Sequence, residues 1–201
     1  PGCRNQVILA YLGEPGAPPI YLGMGSGDSI GGLMAALGIL LALQHRRRTG
    51  RGQRLDASLY GAQLFLAAPS LQAFLATRSP RHSRQVSRKD ARNPLWNRYP
   101  TRDGWIFLCM PADETSWRRV CEALDDPQLA GDPRFESRAL RREHAIALVE
   151  SLDASLSRRT SADWMGRVRP LQIVASPIGN LRDAASDPQA WANDYFVETF
   201  C

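Results

Sequence analysis

Lysine is almost missing from this chain: Lys89 stands alone among 25 basic residues, and the other 24 are arginine. That scarcity removes one class of site, because a GxxxxGK[ST] phosphate loop needs a lysine beside its glycines, and Lys89 has none nearby. Histidine is nearly as rare. His45, His82 and His144 share no metal-ligand spacing, and no GxSxG nucleophile elbow occurs. The four cysteines, Cys3, Cys109, Cys121 and Cys201, are too scattered for a CxxC zinc or redox pair and too few for a disulfide scaffold. That pattern suggests a reduced, cytoplasmic protein with no metal site. The longest nearly apolar run, Ile30 to Leu43, falls short of the roughly 20 residues that cross a bilayer, and no basic leader with an apolar core opens the chain. The expectation is therefore a protein that neither spans a membrane nor is targeted to one.

What is present suits an ordinary globular protein. Of 201 residues, 44% are hydrophobic and 22% charged, enough apolar surface to offset the entropy of ordering one large domain or two small ones. The charge is uneven. Residues 1–100 carry 13 basic and 4 acidic side chains, whereas residues 101–201 carry 12 and 16. A basic half suggests an anionic partner, such as phosphate on a cofactor or on nucleic acid. The chain starts with Pro1 and runs early into a Gly/Pro-rich loop, Gly13 to Pro19, as an internal piece of a longer protein would.

The apolar stretch from Gly31 to Arg48 predicts a helix, with Asp28 or Ser29 able to cap its start and Gly50 placed as a C′ glycine. Apolar nearly all round, it is expected to be buried. Gln53 to Leu59 alternates like a strand, and Gly61 to Ala76 predicts a second apolar helix broken near Pro69. Arg78 to Arg102 holds eight basic residues against Asp90 alone and resembles a solvated linker. Beyond it, Trp105 to Met110 reads as a buried strand. Thr115–Leu124, Arg142–Leu156 and Ser161–Val168 read as amphipathic helices, the last capped by Thr160 or Ser161.

Among candidate chemical groups Asp28 stands apart. It is the only acidic residue between Glu14 and Asp56, and it lies among glycines at the head of the apolar helix. Glycine lets a ligand approach the backbone closely, and a helix N-terminus favours an ionised carboxylate. Such a carboxylate can act as a nucleophile or proton carrier, or simply as a helix cap. The glycines at 23, 25 and 27 do not give a GxGxxG dinucleotide loop.

Gly27-Asp28-Ser29-Ile30-Gly31-Gly32, the helix after it, and Thr49-Gly50-Arg51-Gly52-Gln53-Arg54-Leu55-Asp56-Ala57-Ser58 resemble the signature stretch of the family III CoA-transferases, which also contains alpha-methylacyl-CoA racemases. The similarity continues through Tyr99 to Trp105, Trp117, Cys121 and Leu124, Asp132 to Phe135, Arg142, Ser176 to Gly179, and Asp187 to Gln189. The resemblance implies that Asp28 is the catalytic carboxylate. It would attack an acyl-CoA thioester to form a mixed anhydride, become an aspartyl-CoA thioester, and pass CoA to an acceptor acid. Gly27, Gly31 and Gly32 would then leave room for substrate and CoA, with backbone N–H groups able to steady developing oxyanions. No permanently bound cofactor is implied, since the coenzyme A thioester is itself the substrate, and the partners are an acyl-CoA and a small carboxylic acid.

The same resemblance implies an α/β fold, part of a Rossmann-like large domain joined to a smaller α+β domain. Residues 1–78 would finish the large domain, 79–92 form a basic linker, 93–175 the small domain, and 176–201 a return linker. The full-length protein would be an interlocked homodimer, and this piece alone would be inactive. Asn93 to Asn97 lacks the glycine run of formyl-CoA transferases, which argues against oxalate and formate as substrates. A racemase would pair the aspartate with an upstream histidine, and no histidine precedes His45. A reading from another class takes the arginines at 46–54 and 78–102 as a nucleic-acid surface. No helix-turn-helix, zinc or RNP motif supports that reading, and the expectation is no nucleic-acid partner.

Overall fold

The structure, a computed structural model, describes residues 12–22 and 25–199. Cys3, Gly23, Met24 and Cys201 therefore lie outside the described residues. The chain divides into two compact units, residues 1–87 and 88–201.

The first unit is helical. A long helix α1 (Ser26–Thr49) is followed by α2 (Leu59–Leu66), α3 (Ala68–Thr77) and a short 3-10 segment at Pro80–His82. Helix α1 stops as its sequence predicts: Gly50 adopts φ 71° and donates its N–H to the Arg46 carbonyl at 2.8 Å. Ser58 starts α2 by accepting the Gly61 N–H at 2.9 Å. Helices α2 and α3 bend by 74° at their junction, where Pro69 opens the new helix in its first turn, the position proline tolerates.

Three expectations fail in this unit. Residues 51–58 form no strand, because a strand needs a neighbour to take its N–H and C=O groups and no described segment of the unit offers a ladder. The Rossmann-like sheet is accordingly not seen among the described residues. Helix α1 is mostly exposed: Gly31 is its one buried residue, while Leu33 is 71% and Leu40 64% exposed. Apolar side chains are buried only where other elements cover them, and the described partners of α1 are α2 and the loop carrying Leu55. Finally, α1 is longer than the apolar run suggested. By length and composition it reaches the range of a membrane-crossing helix, a test that core helices also meet.

The second unit folds around its own core. Strands β1 (Trp96–Pro100), β2 (Trp105–Cys109) and β3 (Ala175–Pro177) make an antiparallel sheet in the order β1-β2-β3, with Tyr99 opposite Ile106 and Phe107 opposite Ser176. Alternation decides which residues enter the core. Asn97 and Tyr99 of β1, and Ile106 and Leu108 of β2, face inward, whereas Trp96, Arg98 and Trp105 face solvent.

Between the sheet strands lie α4 (Glu114–Leu124), α5 (Pro127–Ala130), a 3-10 turn at Pro133–Phe135, α6 (Arg138–Glu143), α7 (Ala145–Leu156) and α8 (Ser161–Val168). Two short exposed helices, α9 (Leu181–Ala185) and α10 (Pro188–Ala192), follow β3. Trp117, Val120, Phe135, Leu148, Leu152, Leu156 and Trp164 meet Tyr99, Ile106 and Leu108 in one apolar cluster. Buried polar ends find partners: the Trp164 indole N–H donates to the Leu156 carbonyl at 2.7 Å, and the Tyr99 hydroxyl donates to the Pro94 carbonyl at 2.6 Å. The single helix expected over Arg142–Leu156 is two, α6 and α7, meeting at His144. Arg88, expected in a solvated linker, is largely buried and pairs with Asp153, its guanidinium 5.4 Å from the Trp105 ring.

Candidate functional site

Gly25 sets the geometry around Asp28. It occupies the cap position of α1 at φ 52°, ψ 42°, a left-handed conformation that glycine adopts without a Cβ clash. A side chain there would also meet Asp28, since a Cβ on Gly25 would lie 3.1 Å from Asp28 Oδ2. The helix thus begins earlier than expected, and Asp28 is neither its cap nor a side-chain acceptor for its orphan N–H groups. It is the third residue of the first turn, with its carboxylate lying back toward the helix start.

That placement has electrostatic consequences. The first intrahelical bond of α1 runs from Ser29 N–H to Gly25 C=O at 2.9 Å, so the N–H groups of Ser26, Gly27 and Asp28 precede the regular ladder. The positive end of the helix dipole lies at this same turn. Asp28 is exposed, and its side chain makes no hydrogen bond or ion pair to another described residue. An exposed carboxylate bonded to no other described side chain keeps its lone pairs available for attack.

The three candidate glycines separate into two kinds. Gly27 and Gly31 are one turn apart and carry the close approach of α2: a Cβ on Gly27 would lie 2.9 Å from Gln63 Nε2, and one on Gly31 would lie 2.9 Å from Leu59 Cδ2. Gly32 faces open space, with nothing within 4 Å of a Cβ there. The structure therefore brings the Gln63 carboxamide against Gly27, the residue just before Asp28. Gln63 escaped the sequence reading. Its signal was a lone amide in the otherwise apolar turn Leu59-Tyr60-Gly61-Ala62-Gln63-Leu64-Phe65-Leu66. No group of three or more His, Cys, Asp or Glu suited to a metal ion occurs among the described residues.

The arginines at 46, 47, 48, 51 and 54 are exposed. In the second unit the thiol of Cys121 is pushed up to about 11, chiefly by burial, so it is a poor nucleophile at neutral pH. Cys109 and Cys121 are both free thiols.

The chain as a whole is similar to known proteins. The profile of CoA-transferase family III matches residues 6–200. Succinyl-CoA--D-citramalate CoA-transferase of Chloroflexus aurantiacus is 32% identical over 191 residues, covering 94% of this chain and 47% of that protein. Succinyl-CoA:mesaconate CoA-transferase of Haloarcula hispanica is 30% identical over 184 residues, covering 90% and 44% respectively. A CAIB/BAIF family protein from Brucella suis shares the fold with a TM-score of 0.81 at 24% identity, over 93% of this chain and 49% of that one. The chain spans about half the length of the relatives it matches. With a match over nearly its whole length, the chain belongs to CoA-transferase family III.

Proposed function

We propose that the protein carrying this chain moves CoA from an acyl-CoA to a free carboxylic acid, with Asp28 as the nucleophile. The observation that carries the proposal is the exposed Asp28 carboxylate in the first turn of α1, unbonded to any other described side chain, in a chain of this family. The matched relatives are named for CoA esters and carboxylic acids, and we carry over that substrate class alone. Those names turn the reading away from racemase chemistry. The donor is a coenzyme A thioester, and no permanently bound cofactor is invoked.

The steps balance without any further reagent. An Asp28 oxygen attacks the thioester carbonyl, the C–S bond breaks, CoA leaves as thiolate, and a mixed anhydride forms. The thiolate then attacks the Asp28 carbonyl carbon, releasing the first acid as its carboxylate and leaving an aspartyl-CoA thioester. The acceptor carboxylate repeats both steps in reverse order, regaining free Asp28 and the new acyl-CoA. Backbone N–H groups of the first turn and the Gln63 amide are donors suited to the tetrahedral oxyanions of these steps. Gly32, with open space above it, leaves room for the thioester.

In the complete protein, Asp28→Asn and Asp28→Ala should reduce transfer by at least about three orders of magnitude while circular dichroism is retained, as expected on removal of a covalent nucleophile. Hydroxylamine added during turnover should convert Asp28 to a hydroxamate visible by peptide mass spectrometry. Transfer near the parental rate in a folded Asp28→Asn protein would refute the proposal. We also propose a homodimer for the complete protein and no transfer by the 201-residue chain on its own. Support comes from the exposed apolar side of α1 and from the half-length match to the relatives.

A further inference from the structure

Four arginines of the second unit converge on one recess. A cavity of about 500 Å3 opens between the segment Ala91–Trp96 and the helices α6 and α7, and Arg92, Arg138, Arg141 and Arg142 all line it. Its floor is apolar, from Pro94, Leu95 and Leu148. At one side stands Trp96, 57% exposed and held edge-on against Phe107 at 6.4 Å between ring centroids. The volume is that of a small-molecule site, in the usual range of roughly 300–1,000 Å3.

The charge in this recess is poorly neutralised. Arg141 is only 3% exposed; its Nη1 donates to the Phe135 carbonyl at 2.9 Å, and its guanidinium lies 5.3 Å from the Trp117 ring. Its Nη2 stands 2.9 Å from Glu114 Oε2, yet the alignment is too poor for a hydrogen bond, so this buried nitrogen has attraction without a directed acceptor. The other Glu114 oxygen accepts the Arg138 backbone N–H at 3.0 Å. The side chains of Arg92, Arg138 and Arg142 are exposed and make no ion pair with another described residue. Four arginines and no Asp or Glu line the recess, which leaves a positive concavity, and concave walls of low dielectric focus such a field.

We propose that this recess binds a small polyanion, a molecule carrying two or more carboxylate or phosphate groups, with its oxyanions on Arg138, Arg141 and Arg142 and any flat portion against Trp96. Guanidinium groups suit both kinds of oxyanion because their planar N–H pairs match two oxygens at once. All lining residues belong to the second unit, so the site does not depend on the reading of Asp28.

Calorimetric titration of the full chain with pyrophosphate, citrate and ADP at low salt tests the proposal, with tryptophan fluorescence recorded in parallel. Saturable binding of at least one ligand is expected, weakening as salt is raised. Arg138→Ala and Arg142→Ala should each lower the affinity about tenfold, the scale of one charge-assisted contact. Arg141 is left intact because it holds the Phe135 turn. Trp96→Phe should abolish the fluorescence change while calorimetric binding persists. Tightest binding of citrate assigns a polycarboxylate, of pyrophosphate a phosphate ligand, and of ADP a nucleoside phosphate. The proposal is overturned if none of the three gives saturable heat. It is equally overturned if a folded Arg138→Ala/Arg142→Ala double variant binds as tightly as the parent.

Discussion

Asp103 is an exposed carboxylate that nonetheless ties two elements together. It accepts the Ser161 N–H at 2.8 Å, the Ser161 hydroxyl at 3.1 Å and the Thr101 hydroxyl at 3.0 Å, joining the β1–β2 turn to the start of α8. These bonds, the Ser161 backbone N–H first, hold its carboxyl below the ordinary aspartate range. The capping residues Asp113, Asp126, Asp132 and Asp163 are lowered for the same kind of reason. A lowered folded-state value means the stabilisation is complete above the unfolded value, about 3.9, and is lost as pH falls through the folded value. Urea melts of the second unit should therefore be level near neutral pH and fall in strength below about pH 5. Asp103→Asn should flatten part of that acid limb. Cys121 titrates the other way: at pH 8 it should react with iodoacetamide far more slowly in the folded chain than in urea, because burial keeps the thiol protonated.

At the scale of the element, Gly31 and Gly32 are adjacent in α1 yet should answer substitution in opposite ways. Gly31→Leu drives a side chain into Leu59 and should prise α2 from α1, lowering the melting temperature of the complete protein. Gly32→Ala meets no neighbour and should stabilise the helix by about 0.5–1 kcal/mol. If substrate occupies the open space above Gly32, as the proposed function requires, the same change should lower transfer in the complete protein. Trp164→Ala in α8 should cost about 3–5 kcal/mol, since the indole fills the core and its N–H is spent on Leu156.

Elements with their own start signals and a packed stripe were legible in the sequence. Helix α4, with Trp117 and Val120 inward, and α8, with its Thr160 capping box, follow the pattern closely. Strands β1 and β3 escaped notice, because five and three residues carry too little periodicity, and β3 finds its partner β2 far back in the chain. The break at His144 was hidden for a related reason: the apolar spacing of α7 continues backward into α6 without a proline or glycine between them. Asp28 was legible as a singular carboxylate, but its exact place in the first turn depends on the left-handed Gly25, a conformation that a row of glycines does not assign to any one of them.

For the whole molecule, the contrast between the units decides what the chain does on its own. The apolar side chains of α1, among them Leu33, Leu37, Leu40 and Leu41, are more than half exposed, an apolar surface that soluble monomers rarely present in one piece. The isolated chain should self-associate with rising concentration in sedimentation velocity and should bind the dye ANS, and the complete protein should do neither to the same degree. Helix α1 has one further consequence, which a calorimeter can read. A helix that covers so little of its apolar surface releases little heat capacity when it melts, because that increment tracks the apolar area newly given to water. A thermal scan of the isolated chain kept dilute should accordingly show one sharp transition, from residues 88–201. Its enthalpy should be about 80 kcal/mol near 60 °C, at roughly 0.7 kcal/mol per residue, well short of what a cooperative unit of the full length would absorb.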